Sequence, residues 1–222
     1  RPSDKIGKTV AKILYGEISP YSATRLERFA ACAFAHFLQY GLKVTERAEY
    51  EFRAMDMGNV MHMALEKFAA EVRKEGLDWA ELTEEERNRI IDSCLDQVSA
   101  DYGNTILKSS ARNEYMIERT RRILRRTVWA LQEQLKHGAF RPEGFEVRFQ
   151  GGRIDRVDIM EEPENNRVYV KVIDYKTGNT SFDLLALYHG LQLQLMVYLD
   201  GALQVEKRKY PDREIVPAGV FY

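Results

Sequence analysis

Apolar residues recur at helical spacing through most of the first 141 residues of the chain. The pattern predicts an amphipathic helix over the stretch YSATRLERFAACAFAHFLQYGLKV, with a capping box at Thr24 and Glu27 and a stop at Gly41. Further helices are predicted from Gly58 to about Gly76, from about Thr83 to Leu107 and from about Asn113 to Lys136, with a break near Ser109 and Ser110. The first half of the chain is therefore expected to be largely helical.

After Pro142 the helical spacing gives way to alternation of apolar and polar residues. The segments FEVRFQ, RIDRVDIM and RVYVKVIDYKTG, separated by a Gly151-Gly152 turn and the loop EEPENN, predict an antiparallel meander of three strands. Helical spacing returns from about Leu184 to Leu203, and the last residues predict another strand. The prediction is an α/β fold, with a mainly helical part at 1–141 and a sheet core with one helix at 142–222.

Alternation along the predicted strands decides which charged residues share a face. Residues two apart on a strand project to the same side, so Asp174 and Lys176 continue the apolar row of the third strand. On the preceding strand, Asp155 shares a face with Val157, whereas Asp158 points the other way. If the two apolar rows form one core face, Asp155 and Asp174 converge there.

Two converging carboxylates have a chemical consequence. They raise each other's pKa unless a cation joins them, and oxygen ligands suit Mg²⁺ or Mn²⁺. Such an ion polarises a phosphoryl oxygen, and Lys176 would orient or help deprotonate the attacking water. The alternative is a strand-end salt bridge between Asp174 and Lys176, which better explains an isolated DxK tripeptide. Gln194 and Tyr198, four apart in GLQLQLMVYLDG, are neighbours on one helix face, although a core helix with buried polar groups also fits.

Composition narrows the class of protein without naming its chemistry. With 45% hydrophobic and 30% charged residues, the chain has the profile of a soluble globular protein. It has no apolar run long enough to cross a bilayer and no signal-peptide pattern, so we expect a cytoplasmic protein without a membrane partner. A net charge of -1 neither indicates nor excludes a nucleic-acid partner. The missing initial methionine and the terminal strand predict a piece of a longer chain.

Four sequence motifs follow one another along the chain, and their order is more specific than any one of them: GNVMHMALEKF, GGRIDRVD, VIDYKTG and GLQLQLMVYLD. Together they resemble the RecB-type nucleases of the PD-(D/E)xK superfamily, most closely the nuclease domains of AddB-type subunits of bacterial helicase-nucleases. The resemblance runs from about Ser22 to Tyr222. It implies a restriction-endonuclease-like core, a small mixed sheet flanked by helices, in a single nuclease domain over 1–222.

The resemblance also implies roles for individual residues. The metal ligands would be His62, Asp155, Asp174 and the backbone carbonyl of Tyr175. The catalytic residues would be Asp174, Lys176, Gln194 and Tyr198. Gln194 fits the last motif better than Gln192 because it lies four residues before the tyrosine. For His62, Glu66 one turn later is a candidate hydrogen-bond partner, and an ordinary helix-surface histidine is the alternative.

The two cysteines form no disulfide framework, and one of them matches the family pattern. AddB-type domains carry four cysteines for a [4Fe-4S] cluster, one in the entry helix and three beyond the last strand. Cys32 matches the first, the other three would lie past Tyr222, and Cys94 is predicted to pack inside a helix. One thiolate cannot hold such a cluster, so iron is expected in the parent protein and not in this chain.

The basic run RTRRILRR places Arg119, Arg122 and Arg126 near one helix face, with Arg121 and Arg125 beside it. In a nuclease the first three would contact the DNA backbone, whereas most runs of this kind are simply solvated helix faces. No base-reading motif or row of stacking aromatic residues is visible, so sequence-specific recognition is not predicted.

The resemblance implies a metal-dependent DNA exonuclease, a phosphodiester hydrolase, that works in an AddAB-type helicase-nuclease during double-strand break repair and recombination. Its partners would be DNA and an AddA-type subunit. One alternative is a nuclease-like module that binds DNA or scaffolds its partner without turnover. Another is a stand-alone RecB-like nuclease.

Overall fold

The computed structural model of the protein describes residues 7–16, 22–45, 54–102, 111–176, 178 and 181–222. The helices within these ranges are α1 (Lys8–Tyr15), α2 (Ala23–Ala31), α3 (Ala33–His36), α4 (Ala54–Lys74), α5 (Glu84–Asp101), α6 (Ala111–His137), α7 (Leu184–Tyr188) and α8 (Gln194–Lys209). The strands are β1 (Arg141–Phe149), β2 (Gly152–Glu162), β3 (Arg167–Ile173) and β4 (Glu214–Phe221). The predicted break at Ser109 and Ser110 lies outside the described residues, as does Thr177 of the VIDYKTG motif.

The four strands form one mixed sheet in the order β1-β2-β3-β4. β1 pairs with β2 and β2 with β3 in antiparallel fashion, which confirms the predicted three-stranded meander. β4 pairs with β3 in parallel and brings Phe221 opposite Ile173. The parallel pairing requires a crossover, which α7 and α8 supply. The predicted α/β class, with a small mixed sheet flanked by helices, is confirmed.

Helices cover both faces of this sheet. On one face, the apolar rows of β2 and β3 pack against α8 through Ala202, Tyr198 and Leu199. On the other side lies a larger core of α4, α5 and α6, whose most buried members include Phe68 and Leu95. These layers leave the ends of β2 and β3 at the junction between the helical half and the sheet. The domain boundaries proposed from the sequence stay a prediction, and the first strand begins at Arg141, four residues before the predicted segment FEVRFQ.

Two predicted helices are interrupted, which corrects the sequence-based boundaries. The entry helix breaks at Cys32, whose extended backbone separates α2 from α3, and α3 continues into a π-helical turn that ends at Gly41. The helix predicted from Leu184 to Leu203 is split after α7, where Gly190 adopts a left-handed conformation with φ of 73°. Glycine tolerates this conformation without a steric penalty, so the chain can turn and restart as α8.

Helix starts also differ from the prediction. The N-cap of α2 is Ser22, whose hydroxyl accepts from the Arg25 amide, and the capping box predicted at Thr24 does not form. α4 begins at Ala54, one turn before Gly58. A reciprocal capping box is present at α5, between Thr83 and Glu86. No helix in the described ranges combines the length and apolar character that a membrane span requires.

A buried ion pair joins the sheet to the helical core. Arg156 and Asp158 lie two residues apart on β2, both are fully buried, and they form two hydrogen bonds of 2.5 and 2.9 Å. The Arg156 guanidinium lies over the rings of Trp79 and Phe145, at 5.3 and 5.7 Å from their centroids. Lys171 Nζ adds a third contact to Asp158 at 3.0 Å. Asp158 is therefore satisfied by cations on the face away from Val157, which explains its presence without a catalytic role.

We expect the substitution Asp158→Ala to lower the free energy of unfolding by about 3 to 5 kcal/mol, because it leaves the buried Arg156 guanidinium without its counterion. Urea denaturation measures the change. Glu214→Ala is the matched control, since Glu214 pairs with Arg167 on the solvent side of the same sheet; its cost is expected to stay below about 1 kcal/mol. Equal costs for the two substitutions would contradict this account of the buried pair.

Candidate active site

A histidine and two carboxylates meet where the helical half approaches the sheet. One ligand atom from each of His62, Glu146 and Asp155 lies within 4.8 Å of the others. His62 Nδ1 is 3.4 Å from Asp155 Oδ1 and 3.9 Å from Glu146 Oε1. An imidazole and carboxylate oxygens are donors that divalent metal ions accept, so this cluster fits a metal ion. Glu66 is exposed, and His62 contacts these two carboxylates instead, so the sequence-based partner for His62 is wrong.

Glu146 is a site residue that the sequence pattern did not reveal. In the register of β1 and β2, Phe145 pairs with Arg156 and Val147 with Ile154, so Glu146 lies opposite Asp155. Its backbone has a φ of 50°, a left-handed conformation that costs a non-glycine residue energy and often marks a functional position. The pairing of FEVRFQ with RIDRVD around the Gly151-Gly152 turn is the signal that could have identified it.

Asp174 and Tyr175 follow β3 directly and face the cluster. The Asp174 amide donates to the Phe221 carbonyl at 3.0 Å, so the parallel strand β4 fixes the backbone at this point. The Tyr175 amide donates to Asp155 Oδ2 at 2.7 Å, and its carbonyl oxygen is 3.0 Å from His62 Nε2. The structure thus brings together the side chains of His62, Asp155 and Asp174 with the Tyr175 carbonyl, the four groups that the resemblance nominated as metal ligands.

Lys176 and the polar residues of α8 adjoin the same carboxylates. Lys176 Nζ is 2.6 Å from Asp174 Oδ2 and 3.0 Å from Gln194 Oε1. The Gln194 amide nitrogen donates to the Tyr198 hydroxyl at 2.9 Å and to Asp174 Oδ1 at 3.3 Å. Gln192 lies outside this network, because its side chain bonds instead to the backbone of Ser181 and Asp183. The four-residue spacing of Gln194 and Tyr198 therefore does place both side chains at one site.

A carboxylate from the entry helix fixes the start of α8. Glu27 Oε1 accepts from the backbone amides of Leu193 at 2.7 Å and Gln194 at 2.9 Å. Free amides at a helix N-terminus favour a carboxylate acceptor, so this contact stabilises the first turn of α8. The residue predicted to form a local capping box instead links α2 to the helix that presents Gln194.

A cleft of about 1040 Å³ lies between α6 and the site. Its lining includes His62, Tyr175 and Lys176 of the site and Arg119, Arg122 and Arg126 of α6. The arginines of the basic run differ in their ion-pair partners. Arg121 pairs with Asp96 and Glu118, and Arg125 pairs with Asp92. Within the described ranges, the three cleft arginines form no ion pair. The cleft therefore carries three positive charges that no acidic residue in the described part of the chain neutralises by an ion pair.

A family model for the PD-(D/E)XK nuclease superfamily matches residues 20–222. The chain belongs to the PD-(D/E)XK nuclease superfamily. Its mixed sheet flanked by helices agrees with the fold of that superfamily, and the VIDYKTG stretch supplies the acid and lysine for which the superfamily is named.

Curated relatives of this PD-(D/E)XK domain are named as the B subunits of ATP-dependent helicase/deoxyribonucleases. The chain is 48% identical to the protein from Lachnoclostridium phytofermentans over 97% of its length. It is 39% identical to the protein from Alkaliphilus metalliredigens over 98% of its length and 39% identical to that from Caldanaerobacter subterraneus over 95%. The chain spans only about a fifth of the length of these relatives.

The electrostatics of the PD-(D/E)XK site favour positive charge. Hydrogen bonds that the protonated imidazole donates to Asp155 and then to Glu146 raise the pKa of His62 to about 10, although burial opposes them. Burial raises the pKa of Asp174, the nearby Asp155 carboxylate adds to the rise, and Lys176 opposes it. Burial lowers the pKa of Lys176, but Asp174 and Asp155 outweigh burial and hold it above its ordinary value. Carboxylates that lie close together in a partly buried site repel one another, and a divalent cation relieves that repulsion.

The two cysteines of the PD-(D/E)XK chain differ in accessibility. Cys32 is exposed at the break after α2, whereas Cys94 is buried in α5. Burial, followed by the Glu71 carboxylate, raises the pKa of the Cys94 thiol to about 11. Cys94 therefore packs in the core, and Cys32 is the thiol placed where an external ligand can reach it.

We expect a disulfide reagent such as dithionitrobenzoate at pH 8 to modify Cys32 quickly in the native chain. Cys94 should react only after denaturation, because it is buried and about a thousandth of it is thiolate at this pH. Counting released thiolate over time separates the two phases. The Cys32→Ser variant should lack the fast phase, and equal native rates for both thiols would contradict the assignment.

Proposed function

We propose that this chain is the nuclease domain of an AddAB-type helicase-nuclease and that it hydrolyses DNA with the help of Mg²⁺ or Mn²⁺. The observation that carries the proposal is the junction of a carboxylate-rich site with an arginine-lined cleft. His62 and Lys176, which contact Asp155 and Asp174, line the same groove as Arg119, Arg122 and Arg126, and these three arginines have no acidic partner among the described residues. A salt bridge alone between Asp174 and Lys176 would leave Asp155, His62 and the cleft unexplained.

The residues of the site divide the work of phosphodiester hydrolysis. His62, Asp155, Asp174 and the Tyr175 carbonyl would hold the divalent ion, with Glu146 beside His62 and Asp155 as a further carboxylate. When bound there, such an ion would supply Lewis acidity toward a phosphoryl oxygen and a water molecule. The Lys176 ammonium contacts the phosphate and stabilises the negative charge that develops there.

Gln194 and Tyr198 orient the other groups of the site. The Gln194 side chain accepts a hydrogen bond from Lys176 and donates hydrogen bonds to both Tyr198 and Asp174. It therefore holds the lysine and the acid in one arrangement. A positioned lysine needs no reorganisation when charge develops on the phosphate, which is the main source of electrostatic catalysis. Glu27 accepts a hydrogen bond from the Gln194 amide at the start of α8, and so helps to hold Gln194 beside Lys176 and Asp174.

The cleft arginines bind the sugar-phosphate backbone. Arg119, Arg122 and Arg126 recur along one face of α6 and lead away from Lys176. Guanidinium groups without acidic partners are free to form charge-assisted hydrogen bonds with phosphate oxygens. Such contacts carry no sequence information, so binding is independent of base sequence.

We expect the triple substitution of Arg119, Arg122 and Arg126 with glutamine to weaken binding of single-stranded DNA and to flatten its salt dependence. Three lost phosphate contacts reduce the slope of log K against log salt concentration by about 2, at roughly 0.7 for each contact. Replacing Arg121 is the control, because Asp96 and Glu118 already neutralise it and it does not line the cleft. An unchanged slope in the triple variant would contradict the backbone-binding role.

The name of the relatives, which joins a helicase with a deoxyribonuclease, supports a parent assembly of that kind. We place this chain in such an assembly, paired with an AddA-type subunit in double-strand break repair and recombination in the cytoplasm. Cys32 would be one ligand of a [4Fe-4S] cluster completed by the longer parent chain. Iron analysis of the parent protein, with Cys32→Ser as the comparison, tests that assignment.

A nuclease-like module that binds DNA without turnover is the rival. Release of acid-soluble nucleotides from linear DNA with Mg²⁺ or Mn²⁺, measured on the parent assembly, separates the two. The proposal predicts release that stops when EDTA is added. DNA binding without nucleotide release, at any concentration of either metal, would support the rival instead.

A further inference from the structure

A second basic depression lies beside the active-site cleft and shares two arginines with it. Arg122 and Arg126 line both the active-site cleft and a depression of about 390 Å³ between α5 and α6. The depression is lined by Glu84, Arg87, Asn88, Arg122, Arg125, Arg126 and Trp129. Its four arginines outnumber its one acidic residue, so it carries net positive charge like the cleft. A DNA strand that contacts Arg122 and Arg126 can therefore pass from the cleft directly into the depression.

Arg87 gives this depression a buried cation. Its side chain is only 7% exposed, and its Nη1 donates to Gln132 Oε1 at 2.5 Å. Gln132 is itself held by the carbonyls of Ala80 and Leu82, so the guanidinium lies in a fixed position. The Nε of Arg87 is buried and has no acceptor among the described residues. A phosphate cannot reach this buried nitrogen, but the guanidinium has no carboxylate partner among the described residues, so a phosphate in the depression is a suitable counterion for it.

Trp129 adds a flat apolar surface beside these cations. Its side chain is 39% exposed, although tryptophan is highly buried on average in folded domains. The Arg126 guanidinium lies over the indole, 4.9 Å from the ring centroid. The pairing of an exposed aromatic ring with arginine is the arrangement on which an unpaired base stacks, and every base offers such a face.

We propose that the depression around Trp129 is a binding site for single-stranded DNA that continues the path out of the active-site cleft. One base stacks on Trp129, and the adjoining phosphates contact Arg87 and Arg122. The substrate class is single-stranded because a paired base in a duplex cannot present its face to the indole. This inference rests on the proposed nuclease function and specifies where the DNA strand lies beyond the scissile bond.

Photo-crosslinking tests the site directly. Single-stranded DNA with 5-iodouracil at successive positions is irradiated with the parent assembly carrying Asp174→Asn, which prevents cutting. Mass spectrometry of the crosslinked peptides is expected to identify Trp129 at one position along the strand. Trp129→Phe should keep a crosslink at this residue, because the ring remains, and Trp129→Ala should lose it.

Kinetics on the otherwise unchanged assembly provide the second readout. Trp129→Ala is expected to raise the KM for single-stranded DNA about tenfold with little change in kcat, and Trp129→Phe to stay within about twofold. Tyr188→Ala is the matched control, since Tyr188 is 85% exposed on α7 and does not line either concavity.

The outcomes separate this inference from the proposed function. Crosslinks in the cleft with none at Trp129, together with an unchanged KM in Trp129→Ala, would overturn the second site and leave the nuclease intact. Loss of assembly with the partner chain in Trp129→Ala, with unchanged DNA binding, would show a protein contact instead and would also overturn it. Absence of nucleotide release from the parent assembly would overturn the proposed function itself.

Discussion

Asp174→Asn is expected to reduce nucleotide release from linear DNA by at least about a thousandfold, the largest effect expected of any single substitution. The side chain keeps its size but loses the charge that, in the proposed function, joins Asp155 in binding the divalent ion. Asp174 is 2% exposed and β4 fixes its backbone, so the asparagine side chain is expected to stay at the same point of the site. Removal of one preorganised electrostatic group at a reacting centre typically costs a factor of about 100 to 1000, and loss of the ion adds to that.

Asp200→Asn is the control for this prediction. Asp200 is exposed on α8, the helix that carries Gln194, and its carboxylate contacts only Gln204 among the described residues. Its substitution should leave the rate of nucleotide release within about twofold of the parent. If Asp174→Asn cuts both DNA strands as fast as the parent, the carboxylates at the end of β3 are not the catalytic centre.

Lys176→Gln is expected to slow DNA cutting by about a hundredfold or more without weakening Mn²⁺ binding. Lys176 Nζ lies 2.6 Å from Asp174 Oδ2, so the ammonium neutralises a carboxylate that would otherwise attract the metal ion. Glutamine removes that competing charge together with the group that stabilises the developing charge on the phosphate. The rate of nucleotide release and the Mn²⁺ dissociation constant, measured on the same variant, should therefore move independently.

Lys67→Gln provides the matched comparison, because Lys67 lies on α4 like His62 but its ammonium contacts Gln97 at the surface. It should leave the rate and the metal affinity unchanged. If Lys176→Gln loses Mn²⁺ binding and activity together, the lysine organises the site and does not act on the phosphate. A full rate in that variant would show that the lysine has no part in catalysis.

Local patterns were enough to predict the centre of the site. Alternation along β2 separated Asp155 from Asp158, and the structure places the first beside His62 and the second in a buried ion pair with Arg156. Helical spacing likewise paired Gln194 with Tyr198. These inferences succeeded because the periods of two and 3.6 residues are set by the backbone alone.

Other features depend on contacts between distant segments, which periodicity does not contain. Glu146 joins the site only through the register of β1 against β2 and a left-handed backbone conformation. Glu27 had a plausible local partner in the sequence but caps a helix more than 160 residues later in the chain. The breaks at Cys32 and Gly190 fall inside stretches whose apolar spacing continues across them. In each case tertiary structure overrode a local preference.

The basic run on α6 has one feature that the sequence predicts, the spacing of its arginines, and one that it does not, their ion-pair partners. The sequence grouped Arg119, Arg122 and Arg126 on one face by spacing alone. Only the packing of α5 against α6 shows that Arg121 and Arg125 pair with acidic residues of α5, whereas the other three have no acidic partner among the residues that the structure describes. Whether a charged residue on a helix face is neutralised depends on its ion-pair partners, and the packing of the helices determines those partners.

Anomalous diffraction from crystals of the protein grown with Mn²⁺ tests the central claim most directly. The account predicts one strong peak bonded to Asp155, Asp174 and the Tyr175 carbonyl at about 2.0 to 2.4 Å, with His62 as a further ligand. A peak located where Asp155 and Asp174 do not share the ion, or no peak in this cluster at saturating Mn²⁺, would contradict it.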